Sequence, residues 1–370
     1  MVVLGNWPVN GAHEHRVREA LREVIGTDLP ITLSAEIGAL GLLERENAAG
    51  LNAALHNAAQ IAVSGFRDAM CEIGISARLF LGQNDATLMS LEQALKFPVL
   101  TIASGPANSL RGASHLTGLR DAIVIDIGGT TSDLGVLHKG FPRESSLAVE
   151  VGGVRTNFRM PDILTVGLGG GSIVSEEVGH VKVGPQSLGY KLLTEGLVFG
   201  GKTLTATDLV VAAGEAVVGD PNRVSTLAAE LVRNGLTTMN SLLERSVDRI
   251  KLNTQQIPVI VVGGGSILCP SALAGVSAVI RPDHYDVANA IGVAIAQISS
   301  TVERVISLKN TSREDQLASL IDLATEQTFA AGATRESIEV LEVEEVPLGY
   351  LSGDGIRVRI KVAGSMDLQA

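Results

Sequence analysis

The stretch Asp126-Ile127-Gly128-Gly129-Thr130-Thr131-Ser132-Asp133 constrains this chain more than any other. It lies between two apolar runs, Ala122-Ile123-Val124-Ile125 and Leu134-Gly135-Val136-Leu137. Short β-branched segments joined by Gly-Gly read as a hairpin. Glycine carries no Cβ, so backbone N–H groups at such a turn can approach a phosphate closely. The strand-end carboxylates Asp126 and Asp133 are the candidate catalytic groups, with Asp126 placed to hold a hydrated Mg²⁺ beside that phosphate. Gly128, Gly129, Thr130 and Thr131 are the candidate phosphate contacts. A plain hairpin, with glycine supplying positive φ and polar residues decorating the loop, is the competing reading.

Two further glycine clusters favour the phosphate reading. Gly263-Gly264-Gly265-Ser266 follows the apolar run Ile257–Val262. No Lys follows it, so it is not a Gly-x-x-x-x-Gly-Lys loop. It either paves a surface for a nucleoside or is a simple strand-to-loop turn. Gly169-Gly170-Gly171-Ser172 reads either as an anion-binding nest at a helix N-terminus or as a close-packed connector. Asn84 and Asp85 follow the strand-like Arg78–Gly82. They are candidate substrate contacts at a strand end, with an Asx turn an equal reading.

Along the chain, strand and helix signals alternate, which argues for an α/β fold. Strands are expected at Val2–Leu4, Ile31–Ser34, Arg78–Gly82, Val99–Ala103 and Ala148–Val151. Helices are expected at Glu14–Ile25, Glu44–Glu72, Ala107–Leu116, Asp220–Lys251 and Asp283–Leu308. Ser90 with Gln93 is a helix-start signal, and Thr207 or Asp208 is expected to cap a helix Leu209–Val217. A β-rich tail is expected from about Lys309. The 370 residues allow two lobes with separate cores.

The net charge of -11 argues against a nucleic-acid or anionic-membrane surface. No apolar run reaches membrane-spanning length and no leader pattern opens the chain, so a cytoplasmic location is expected. Cys71 and Cys269 read as small core residues in a reducing compartment. The dispersed histidines, including His13 and His15, offer no zinc spacing.

Taken together, these segments resemble the ATPase superfamily of sugar kinases, heat-shock chaperones and actin. Asp126–Asp133 resembles its second phosphate motif and Val261–Ser266 its adenosine motif. Ser104–Ala113 and Val287–Ala294 resemble its two connector helices. A closer resemblance is to the hydantoinase A / 5-oxoprolinase family, which includes acetone carboxylase subunits. It is carried by Asn52–Leu55, Ser104–Ala107, Asp126–Asp133, Gly169–Ser172, Val183–Ser187 and Thr205–Asp208. That resemblance implies a two-lobed, actin-like (ribonuclease-H-like) fold with an incomplete first lobe in 1–106. A connector helix and nucleotide-binding lobe follow in 107–308, and a β-rich appendage in 309–370. It implies ATP and Mg²⁺ as cofactors, a small cyclic amide such as a hydantoin or 5-oxoproline as substrate, and phosphorylation of its carbonyl oxygen. It also implies a hydantoinase B-type subunit or fused domain as partner, alongside a homo-oligomer. The family's earlier Asp-x-Gly-Gly-Thr turn has no counterpart before Asp126, so nucleotide binding by this chain alone is expected to be impaired. A non-catalytic nucleotide-binding module and a small-molecule kinase of the same fold stay open as alternatives.

Overall fold

The computed structural model describes residues 1–5, 11–26, 29–37, 41–145, 149–177, 180–307, 312–348 and 355–366. No helix among the described residues is long and apolar enough to cross a membrane. The chain forms two compact units. The first comprises Met1–Ser104, Ser145–Met160 and Ala296–Ala370; the second comprises Gly105–Glu144 and Pro161–Ile295.

The second unit is built on a six-stranded sheet in the order Ile163–Val166, Ser132–His138, Ala122–Ile127, Val259–Val262, Val279–Ile280, with Phe141–Pro142 paired to Ser132–His138. Ala122–Ile127 and Val259–Val262 run parallel, so their carboxyl ends reach the same sheet edge. Both are buried on two faces, which explains their unbroken apolar runs. Alternation sorts the side chains. Ile123, Ile125 and Ile127 enter a core with Leu209, Met239 and Leu243, whereas Ala122 and Val124 pack with Leu110, Ala113 and Ala288. Helix Ala229–Ile250 covers the first face through Val232, Met239, Leu243 and Val247, a helical stripe at spacings of seven, four and four.

Helices Ser104–Thr117 and Ala288–Ala294 cover the opposite face. They touch backbone to backbone. A Cβ at Gly112 would strike the Ala288 carbonyl, and one at Gly292 would strike the Asn108 carbonyl.

In the first unit, a five-stranded sheet runs Glu339–Pro347, Gly355–Gly364, Ile298–Ser307, Leu88–Ser90, Phe80–Gly82. Thus the C-terminal strands share a sheet with strands from the first hundred residues. Val302, Val358, Ile360 and Val362 pack under helix Arg313–Ala330 through Leu320 and Ala324. Arg357, Arg359 and Lys361 alternate onto the other face. There they pair with Glu303, Glu344, Glu342 and Asp85.

Several local expectations are corrected. The helix expected over Asp283–Leu308 is confined to Ala288–Ala294, and Ile298–Ser307 is a strand. Its β-branched residues Ile298, Thr301, Val302, Val305 and Ile306 suit a pleated surface, and Ile298, Val302 and Ile306 are buried. Val99–Ala103 is not a strand: Pro98–Thr101 forms a 3-10 turn with Pro98 opening it, because its ring presets φ. Thr205, not Thr207 or Asp208, caps the helix Ala206–Ala212, and Asp208 completes the capping box from its third position. Ser90 does cap Leu91–Lys96, accepting from the Gln93 amide. Cys71 is exposed on helix Leu42–Glu72 rather than in a core. Cys269 is buried, and burial pushes its thiol up to about 12.

The helix crossing yields a stability prediction. Gly112→Ala forces the two helix backbones apart and is expected to cost about 1–3 kcal/mol. Gly65→Ala, on an open helix position where a Cβ meets nothing, is expected to stabilise by up to about 1 kcal/mol. Urea midpoints of the two variants check this, and equal shifts would refute the close-approach argument.

Candidate phosphate-binding site

The hairpin expected around Asp126 is present. Strands Ala122–Ile127 and Ser132–His138 pair antiparallel with Asp126 opposite Asp133, and the Gly128 amide donates to the Thr131 carbonyl at 2.9 Å to close the loop. By alternation Asp126 falls on the face of Ala122 and Val124, toward helix Ser104–Thr117. Neither Gly128 nor Gly129 has positive φ, so supplying positive φ is not what this glycine pair does. What glycine preserves here is space: among the described residues other than its chain neighbours, a Cβ on Gly129 would meet no atom within 4 Å. The Gly129 and Thr130 amides, at the exposed tip, have no acceptor among the described residues.

Gly169–Ser172 lies beneath that tip. The Gly170 amide donates to the Gly128 carbonyl at 3.0 Å, and the Gly171 amide to the Gly129 carbonyl at 2.7 Å. The Gly169 amide donates to Ser172 Oγ at 2.9 Å. The segment opens the strand Ser172–Glu177, not a helix, and its amides are already engaged. It therefore supports the tip and does not form the nest at a helix N-terminus. Thr207 Oγ1 donates to the Gly170 carbonyl at 2.8 Å and Ser187 Oγ to the Gly129 carbonyl at 3.2 Å.

Gly263–Ser266 follows Val262, which is paired with Asp126. The Gly265 amide donates to the Ile127 carbonyl at 2.8 Å. Gly263 has φ +88, and a Cβ there would strike Asp126 Oδ1; only glycine fits on both counts. Gly264 is exposed, with open space where its Cβ would stand. Ser266 Oγ is buried without a hydrogen-bond partner, an arrangement that is costly unless a ligand supplies one. Arg281 Nη2 holds this turn by donating to the Ser266 and Cys269 carbonyls at 2.8 and 3.0 Å. The structure thus joins all three glycine clusters around the tip.

Burial pushes the Asp126 carboxyl above its ordinary range, offset in part by the Ser109 hydroxyl. Burial does the same to Asp133, against the Thr165 hydroxyl and with the Asp126 charge adding to the rise. Two carboxylates paired across strands, with free amides and open space beside them, fit a divalent cation and a phosphate. Ser109 and Thr165 were missed from sequence, because neither belongs to a glycine turn.

With this geometry in hand, relatives can be compared. The chain matches the hydantoinase/oxoprolinase family over residues 45–302. It belongs to that family. Over 218 residues it is 28% identical to the acetophenone carboxylase gamma subunit of Aromatoleum aromaticum (strain DSM 19018 / LMG 30748 / EbN1), covering 56% of this chain and 29% of that subunit. A crystal structure of ATP-dependent caprolactamase from Pseudomonas jessenii superposes with TM-score 0.72 at 17% identity, covering 97% of this chain and 63% of that one. Nucleotide-free acetone carboxylase, from a study of ATP-dependent acetone carboxylation, gives 0.67 at 16% identity, covering 96% and 62%. The mixed α/β fold expected from sequence is observed, and it is shared with the caprolactamase and acetone carboxylase structures. This chain spans less than two thirds of the length of each of these relatives.

Asn84 and Asp85 lie elsewhere in this hydantoinase/oxoprolinase chain, in the first unit, at the turn between Phe80–Gly82 and Leu88–Ser90. Asn84 Nδ2 donates to the Arg159 carbonyl at 2.9 Å. Asp85 Oδ1 accepts from the Thr87 amide at 3.0 Å and its hydroxyl at 2.5 Å, and Oδ2 pairs with Lys361 Nζ at 2.8 Å. The turn geometry is that of an Asx turn. Burial alone would raise the Asp85 carboxyl; Lys361 and Thr87 outweigh it and hold the group below the usual range. A carboxyl depressed in the folded state adds stability above its unfolded value, near 3.9, and loses it as pH falls through the folded value. Asp85→Asn is therefore expected to cost about 3 kcal/mol at neutral pH. That gap should hold above about pH 5 and narrow as the pH falls below about 4. Urea unfolding across this range measures it; a gap independent of pH would refute the ion-pair origin.

Proposed function

We propose that this chain is an ATP-dependent component of a cyclic-amide hydrolase, and that its second unit is the nucleotide-binding lobe. The observation carrying this reading is the open, amide-lined tip Gly128–Thr131 beside the paired carboxylates Asp126 and Asp133, braced from below by the Gly170 and Gly171 amides and the Ser187 hydroxyl. Family membership supports it, as does the likeness in fold to an ATP-dependent caprolactamase.

In this reading the Gly129 and Thr130 amides donate to phosphate oxygens, with the Thr130 and Thr131 hydroxyls beside them. Asp126 holds the cation, with Asp133 opposite. Gly263–Ser266 faces the nucleoside, where Ser266 Oγ finds its missing partner. Bound Mg²⁺ supplies charge neutralisation for the transferring phosphoryl group. An amide is a poor electrophile. Transfer of the γ-phosphoryl group to the carbonyl oxygen forms a P–O bond as the bond to ADP breaks, and it activates the carbon. Water adding there gives a tetrahedral carbon from which the ring nitrogen leaves, and the resulting acyl phosphate is cleaved by a second water to carboxylate and phosphate. We place the remaining steps on a hydantoinase B-type subunit or fused domain, with the complex in the cytoplasm where ATP is available. Acetophenone carboxylase, whose gamma subunit resembles this chain, is itself a multi-subunit enzyme.

Two substitutions test the site. Asp126→Ala is expected to abolish Mg²⁺-dependent ATP binding in calorimetry, and unchanged binding would sink the reading. Gly129→Ala is expected to leave thermal unfolding unmoved, because its Cβ meets no described atom beyond its chain neighbours. It should still weaken ATP at least about tenfold by filling the phosphate space. Equal ATP affinity in Gly129→Ala and wild type would place phosphate elsewhere. In the assembled complex, ATP hydrolysis stimulated by a hydantoin or 5-oxoproline is the expected activity; a stable phosphorylated product would indicate a kinase instead.

A further inference from the structure

The Asp133 carboxylate accepts a hydrogen bond from a hydroxyl on a neighbouring strand, and a second hydroxyl, that of Ser109, lies on the helix toward which Asp126 faces. Thr165 lies opposite Asp133 in the register between Ile163–Val166 and Ser132–His138, and Asp133 lies opposite Asp126. The three residues form one transverse row across the sheet. Thr165 Oγ1 donates to Asp133 Oδ1 at 2.5 Å. A carboxylate only accepts, so the direction of that bond is fixed.

At the other end of the row, helix Ser104–Thr117 carries Ser109, which is 1% exposed. Asn289, on helix Ala288–Ala294, donates from Nδ2 to the Gly105 carbonyl at 2.8 Å and to Ser109 Oγ at 3.3 Å. The carbonyl partner identifies that atom as the amide nitrogen, because a carbonyl cannot donate. Ser109 Oγ is then an acceptor toward Asn289, which leaves its own hydrogen available to a carboxylate on the facing sheet edge. The link from Asn289 to Ser109 runs from helix Ala288–Ala294 to helix Ser104–Thr117, on the side of the sheet that Asp126 faces.

We propose that Ser109 and Thr165 are positioning residues for the cation-holding carboxylates, with Asn289 setting the direction of the Ser109 bond. The proposal rests on the nucleotide-site reading above. A strand-end carboxylate without such a partner rotates about its terminal torsion, which is broad and twofold. One hydroxyl on each carboxylate holds the rotation and leaves the remaining lone pairs for a cation, as outer-shell donors do around metal ligands. Unlike a Lys or Arg, a hydroxyl adds no positive charge to compete with that cation.

The test is Mn²⁺ titration of the full chain in the presence of ADP, with free Mn²⁺ read by electron paramagnetic resonance. Ser109→Ala and Thr165→Val are each expected to weaken Mn²⁺ roughly tenfold. Ser109→Thr and Thr165→Ser, which keep the hydroxyl, should retain wild-type affinity. Melting of the metal-free Thr165→Val variant should match wild type, since Thr165 is exposed; this separates positioning from a structural role. Should Ser109→Ala fail to fold, Thr165→Val and its serine counterpart decide the matter. Mn²⁺ binding by wild type that is insensitive to hydroxyl loss overturns the positioning proposal alone. No Mn²⁺ binding by wild type overturns the nucleotide-site reading, and this proposal with it.

Discussion

The Gly170 and Gly171 amides, donating to the carbonyls of Gly128 and Gly129, are the contacts on which the rest of the site depends. They brace a loop tip from beneath by backbone alone. Gly169 and Gly171 allow it: a Cβ at Gly169 would run into the Thr130 backbone, and one at Gly171 would crowd the Gly129 carbonyl. Gly265 adds a third brace through the Ile127 carbonyl. With its carbonyls held below, the tip presents its amides outward. Donors fixed in advance need no reorganisation when charge arrives, which is the physical advantage of such a loop.

How much of this was legible in the sequence follows from how local each interaction is. Asp126–Asp133 was readable because carboxylates, glycines and flanking strands lie within one hairpin. The glycine clusters were visible too, but their division of labour was not. Gly129 and Gly170 look alike in sequence, yet one has a free amide and the other a bound one. Only the docking of Gly169–Ser172 under the hairpin decides that. Ser109 and Thr165 were invisible for the same reason: strand register and helix docking bring them to the carboxylates. The misread strand Ile298–Ser307 shows a different limit. Its β-branched residues compete with a small-residue helical pattern that continues from Ala288–Ala294, and the sheet settles the competition through the long pairing of Ile298–Ser307 with Gly355–Gly364.

The first unit shows how charge enforces that pairing. Arg357, Arg359 and Lys361 sit on the sheet face away from the helix, and the side chains of Arg359 and Lys361 are only 8% and 7% exposed. Glu303, Glu342, Glu344 and Asp85 answer them, and Arg159 joins from Ser145–Met160. Such pairs contribute little net stability because desolvation offsets attraction. Their effect is on register: a slip of one residue would turn the buried cations toward Leu320 and Ala324 and the apolar row away from them.

The two units place partly buried carboxylates in opposite circumstances. Asp85 faces Lys361, and its carboxyl is held below the ordinary range. Asp126 and Asp133 draw no contribution from Lys or Arg, and burial drives both upward. Were stability the only constraint, a basic side chain beside Asp126 would be the simple remedy, and this chain builds one at Asp85. Supplying hydroxyls instead leaves a pair of carboxylates whose charge is uncompensated by the protein. That deficit is what a divalent cation would offset, so the feature that weakens the folded chain locally is the one that would favour a cation in the proposed site. A hairpin tip with the same glycines but an internally neutralised Asp126 would fold more easily and bind a metal–phosphate less well. The sheet edge is therefore better explained by recognition than by stability.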